Sequence, residues 1–130
     1  MAASGRWAEP SSREQILSVL DDDHLARMTL GDRSLEREVL EIFVRQIALT
    51  LARLVGVEPA RAAAAAHTLK GSARGIGAWR VAAAAERLEQ AAGALAGPDA
   101  IADAVAQLEV AGAEIREAIG ARLGGSLEAA

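Results

Sequence analysis

Apolar side chains return at steps of three and four along this chain, from about residue 34 to residue 119. That period lines them up on one face of a helix, and it leaves no alternation for strands to follow. The first long segment, Ser34 to about Val55, carries Val39, Ile42, Phe43, Gln46, Ile47 and Leu54 at such steps. Glu36, Arg37, Glu41 and Arg45 occupy its other side. Gly56 and Pro59 bracket a short connection, and Pro59 opens a second helix where a missing N–H is harmless. This helix runs to about Arg74, and Gly75-Ile76-Gly77 breaks it. A third, from about Ala78 to Ala96, uses Val81, Ala84, Ala85, Leu88, Ala92 and Leu95. After Gly97-Pro98-Asp99 a fourth carries Ile101, Val105, Leu108, Gly112, Ile115 and Ile119, the spacing of a bundle seam.

Short links between such helices make them antiparallel neighbours. The expected fold is therefore all-α, an antiparallel up-and-down four-helix bundle preceded by a short N-terminal helix. Asp21-Asp22-Asp23 ahead of His24 to Met28 reads as the capped, dipole-favoured start of that short helix, which ends near Gly31. His24 is then an exposed residue at its beginning. A further helical stretch is read from Ser12 to Leu20. Residues 1–12 form an arm, 13–122 the bundle domain and 123–130 a frayed tail.

Composition narrows the chemistry. The chain has no cysteine, so disulfides, thiolate zinc sites and cysteine nucleophiles drop out. His24 and His67 are too far apart for a helical metal pair, and no metal site is expected. The start, Met-Ala-Ala-Ser-Gly-Arg-Trp, has no apolar run behind its charge, and no stretch of 18 apolar residues occurs. A cytoplasmic protein without membrane contact is expected. A net charge of −4 argues against nucleic acid as a partner.

Against that acidic background, Pro59 to Arg80 holds four cations (Arg61, Lys70, Arg74 and Arg80) and no acid. A basic island of this kind suggests that an anion is handled there. Helical phase turns Leu69 to the core together with Ala62, Ala65, Ala66, Ala73 and Ile76, and His67 to solvent. Lys70, Gly71 and Arg74 follow on the histidine's face, and Ala60, Ala63 and Ala64 precede it. Gly71 costs a helix interior about 0.8–1 kcal/mol relative to Ala, and close approach of another molecule would compensate. On phase and charge alone two readings stand: a surface histidine without a role, or a reactive group on a flat strip. Neither Gly75-Ile76-Gly77 nor Lys70-Gly71-Ser72 has the order of a nucleotide-binding loop.

His67-Thr68-Leu69-Lys70-Gly71-Ser72, with Gly77-Ala78 downstream, resembles the signature of the histidine-containing phosphotransfer domain of bacterial phosphorelays. Glu86-Arg87-Leu88-Glu89 is similar to that family's next-helix segment, and Leu35 to Leu54 to its first long helix. The resemblance covers about residues 21 to 122. Histidine-kinase dimerisation segments follow the histidine with an acid and later a proline; Thr68 and Leu69 stand here, and no proline occurs between 59 and 98. The chain thus reads as a carrier, not a kinase.

The resemblance implies that His67 accepts a phosphoryl group from an aspartyl phosphate of a receiver domain and passes it on. Lys70 would stabilise that group, and Glu89, where the family has Gln or Glu, would orient the ring through Nδ1. Gly71, Ala63, Ala64 and Arg74 would form the docking strip, with Arg74 otherwise a solvated charge. Ser72 and Gly77 would be structural. The partners implied are receiver domains and a hybrid sensor kinase, magnesium would sit on the receiver, and the chain would be a monomer. The competing expectation is a non-phosphorylated docking or inhibitory module using the same face.

Overall fold

The computed structural model describes residues 18–124. Among them are five helices and no strand: α1 Asp22–Met28, α2 Arg33–Arg53, α3 Pro59–Ile76, α4 Trp79–Gly93 and α5 Pro98–Arg122. The arm at 1–12, most of the stretch from Ser12 to Leu20, and tail residues 125–130 lie outside the described residues. Residues 18–20 are not helical.

Local chemistry explains the boundaries. Asp21 caps α1 by accepting from the His24 N–H, and Asp32 caps α2 by accepting from the Leu35 N–H. Pro59 and Pro98 stand in the first turns of α3 and α5. Of the expected Gly75-Ile76-Gly77 break, Gly77 is the residue that ends the helix, two positions beyond the expected end near Arg74. Gly75 stays helical, and Gly77 ends α3 in the left-handed conformation at φ +87°. Likewise α4 stops at Gly93, so Leu95, expected in its seam, lies in the connection at φ +54° and is exposed.

The core is built from Leu40, Phe43 and Ile47 of α2, Leu69 of α3, Val81 and Leu88 of α4, and Leu108, Ile115 and Ile119 of α5. The most extensive helix pair is α3 with α4. Its buried residues are largely alanine, including Ala62, Ala66, Ala73, Ala82, Ala84 and Ala85, and such small side chains let two helices approach closely. Gly112 does the same for α5, where a Cβ would stand 3.1 Å from Cγ2 of Ile47. Ile42 departs from the expected core: it is exposed, and Leu40 is buried in the stripe instead.

The short helix corrects another expectation. His24 is 3% exposed, and its ring meets Trp79 edge-on at 5.0 Å. The cause is the Asp21 cap. Its Oδ1 accepts from the His24 backbone and its Oδ2 from the Trp79 indole at 2.8 Å, while the Asp21 N–H donates to the Gly77 carbonyl at 3.0 Å. These bonds fasten α1 against the junction of α3 and α4 and turn the imidazole inward. Arg122 completes the attachment, pairing with Asp22 and Glu36 from the end of α5.

Candidate functional site

Leu69 is fully buried and therefore sets the rotation of α3. With that side of the helix inward, the His67 side chain is left 68% exposed. Ala60, Ala64 and Gly71 lie at one and two turns on the same face and are exposed as well, while Ala63 is half-buried. A Cβ on Gly71 would meet nothing within 4 Å, so the fold itself has no need of a glycine there.

Glu89 reaches this face from α4. Its Oε2 lies 2.8 Å from Nδ1 of His67, and its Oε1 lies 2.7 Å from Nζ of Lys70. One carboxylate thus bridges two residues a single turn apart on α3. The ammonium's hydrogen bond, assisted by that of His67, holds the Glu89 carboxyl below its ordinary 4.5. An ionised carboxylate only accepts, so it selects the ring tautomer with the proton on Nδ1 and leaves the Nε2 lone pair free.

The lysine's position differs from the simplest reading of the sequence. Its side chain is only 16% exposed and is drawn to Glu89, not extended into solvent. Arg74 pairs with Glu86 of α4 at 2.9 Å, and Arg80 lies 3.6 Å from Glu114 of α5. Three of the four cations in the basic island therefore face acids from neighbouring helices. A charge count along one segment cannot register acids that packing brings alongside it. Ser72 is half-buried, with its hydroxyl 3.4 Å from the Thr68 carbonyl. Gly77 is buried against Asp21.

A cavity of about 630 Å³ lies elsewhere, between Leu54, Val57, Pro59, Leu95, Ile101 and Val105. Glu109 is the one titratable residue lining it. Among the described residues no three of His, Cys, Asp or Glu gather as a metal cluster, and no helix is long and apolar enough to cross a membrane.

A family model described as the Hpt domain matches residues 37–124. The chain belongs to the Hpt domain family. Hpt domains are phosphocarriers that work with receiver domains in two-component phosphorelays. No curated protein and no solved structure matches the chain. The Hpt match takes in His67, Lys70, Trp79 and Glu89, and it begins after α1, so Asp21 and the buried His24 are outside it.

Proposed function

We propose that this Hpt domain is a phosphorelay carrier that takes a phosphoryl group on Nε2 of His67 from one receiver domain and delivers it to another. The observation that carries the reading is the 2.8 Å contact between Glu89 and Nδ1 on a ring whose other edge is open to solvent. In the transfer, Nε2 attacks phosphorus in line with the aspartyl oxygen. The N–P bond forms, the P–O bond breaks, and the aspartate carboxylate leaves with the electron pair. The ring gains positive charge as the new bond forms, and Glu89 stands at Nδ1 to stabilise it. Lys70, one turn away, holds Glu89 in the resting protein and offers its remaining N–H donors to phosphoryl oxygens.

Magnesium belongs to the receiver in this mechanism. Among the described residues the carboxylate paired with His67 is that of Glu89, and both its oxygens already serve His67 and Lys70. The Ala60–Ala64–Gly71 strip and the half-buried Ala63 give the receiver room to bring its phosphoaspartate to Nε2. Arg74, compensated by Glu86, contributes to docking at the edge of that strip. The carrier unit is an antiparallel four-helix bundle within residues 13–122, and it works as a cytoplasmic monomer fed by a hybrid sensor kinase.

The test is incubation with a receiver carrying labelled phosphate. Label is expected on this chain as acid-labile, base-stable phosphate, and His67→Gln is expected to abolish it while helical content stays at the wild-type level. Receiver binding without any label on His67 would overturn the carrier reading in favour of a non-phosphorylated docking module.

A further inference from the structure

The α2–α3 and α4–α5 turns meet at one end of the domain and, with the first half of α5, wall the cavity of about 630 Å³. Its surface is mainly apolar, with Val57, Pro59, Leu95, Ile101 and Val105 among its lining residues. Leu95 is 73% exposed over this cavity and holds φ +54°, a left-handed backbone that disfavours residues with a Cβ. Asparagine or glycine would suit that backbone better, and a polar side chain would suit that exposure better. Val55, in the α2–α3 turn, is 83% exposed as well. Neither local conformation nor burial within the domain accounts for a leucine at position 95, which leaves a contact outside the domain to account for it.

The charges that border the cavity are acidic. Glu109 lines it, Glu58 precedes Pro59, and Asp99 and Asp103 stand one turn before Ala102 and Ala106 of the α5 wall. All four are exposed, and none forms an ion pair among the described residues. From Pro98 to Glu109 the α5 wall carries no cation. The arginines of this end are turned elsewhere: Arg53 lines a groove between α2 and α3, and Arg61 is about 200° round α3 from Pro59. Arg45 and Arg116 border Glu109 in the adjoining groove between α2 and α5, and it pairs with neither. A second copy of this chain fits poorly on the cavity, because a twofold contact would set acids against acids, and the same acids repel anionic lipid and nucleic acid.

We propose that this end of the domain docks an amphipathic helix of a partner protein. The helix seats an apolar ridge on Val57, Leu95, Ile101 and Val105, and lysines or arginines on its flanks meet Glu58, Asp99, Asp103 and Glu109. The ridge supplies buried area, and the opposite charges speed encounter and set orientation. His67 lies about 12 Å along α3 from Pro59, and α5 packs chiefly on α2 and α4. The docked helix therefore leaves the His67 ring uncovered. It acts as a tether, raising the concentration of this chain near whatever else its partner binds.

The probe is a fluorescein-labelled peptide of leucine and lysine, with leucines at steps of three and four, compared by anisotropy with a leucine–glutamate peptide of the same spacing. The lysine peptide alone is expected to bind, and more weakly as salt is raised. Val55→Ser/Leu95→Asn and Asp103→Lys/Glu109→Lys are each expected to raise its dissociation constant at least about tenfold. All four side chains are exposed, and asparagine accepts the left-handed backbone at 95, so circular dichroism should match wild type. Phosphotransfer to His67 should change less than about twofold in both variants, and in the wild type saturated with peptide. Unchanged peptide affinity in both double variants, equal affinity for the leucine–glutamate peptide, or no binding of the lysine peptide below about 1 mM would overturn the proposal. Saturating peptide that blocks labelling of His67 would put the peptide on the histidine face and overturn it too. The anisotropy needs no receiver, so a chain that binds the peptide as expected but takes no label would overturn the carrier reading and support the docking site. Sedimentation showing a dimer that Val55→Ser/Leu95→Asn abolishes would assign the cavity to a second copy and overturn the proposal.

Discussion

Alanine at position 71 should stabilise the free protein, whereas alanine at position 77 should destabilise it. Gly71 lies inside α3 with ordinary helical backbone, and its added Cβ meets nothing within 4 Å. Alanine then gains the helix-propensity difference of about 0.8–1 kcal/mol with no steric charge against it. With a urea dependence of about 1–3 kcal/mol/M, the unfolding midpoint moves up by roughly 0.5 M, and the melting temperature rises by about 4 °C. At Gly77 the backbone is left-handed, and a Cβ would stand 3.0 Å from both Cβ and the carbonyl oxygen of Asp21. The left-handed conformation alone costs about 1–2 kcal/mol. Relief of the contact would also disturb the Asp21–Gly77 backbone hydrogen bond. Urea melts of both variants, followed by circular dichroism, check the pair of signs. Gly71→Gln extends the test to function, because a side chain at i+4 from His67 stands in the receiver's path. It should melt above wild type and dock receivers poorly. A Gly71→Gln protein that is more stable and still accepts phosphate at wild-type receiver concentrations would refute the strip as a docking face.

Three further outcomes are expected. Glu89→Ala should slow transfer by up to about 100-fold with receiver affinity unchanged, since it removes the group that aligns the ring; single-turnover rates separate the two effects. Lys70's hydrogen bond, with that of His67 behind it, keeps the Glu89 carboxyl below 4.5. Its stabilising contribution is therefore complete above that pH and is lost as pH falls through the lowered value, and Lys70→Ala should move the carboxyl titration upward in a carbon-detected NMR experiment. Asp21→Ala should lower stability by about 2–4 kcal/mol in denaturant melts, because α1 loses its cap and the buried Trp79 indole loses its acceptor.

Period and punctuation carry most of the helical layout. The starts at Pro59 and Pro98 are local in origin, as is the ending of α3 near Gly77, and all are legible from neighbouring residues. The exposure of His67 is legible too, because Leu69, two positions away, must be buried. Glu89 became visible through family likeness together with the hairpin's register. Other features depended on which helices came to lie side by side. Lys70, Arg74 and Arg80 form an uncompensated island in one dimension, and each has a carboxylate opposite it once α4 and α5 are packed alongside. His24 has the local surroundings of a surface residue, yet the Trp79 indole, 55 positions on, recruits its capping aspartate and draws the ring inside. Ile42 matches the apolar period of α2 and still faces out, since a helix surrounded on only part of its circumference buries a stripe narrower than the pattern allows. Helical period is a property of neighbours in sequence; charge compensation and burial belong to neighbours in space, and those exist only after the chain has folded.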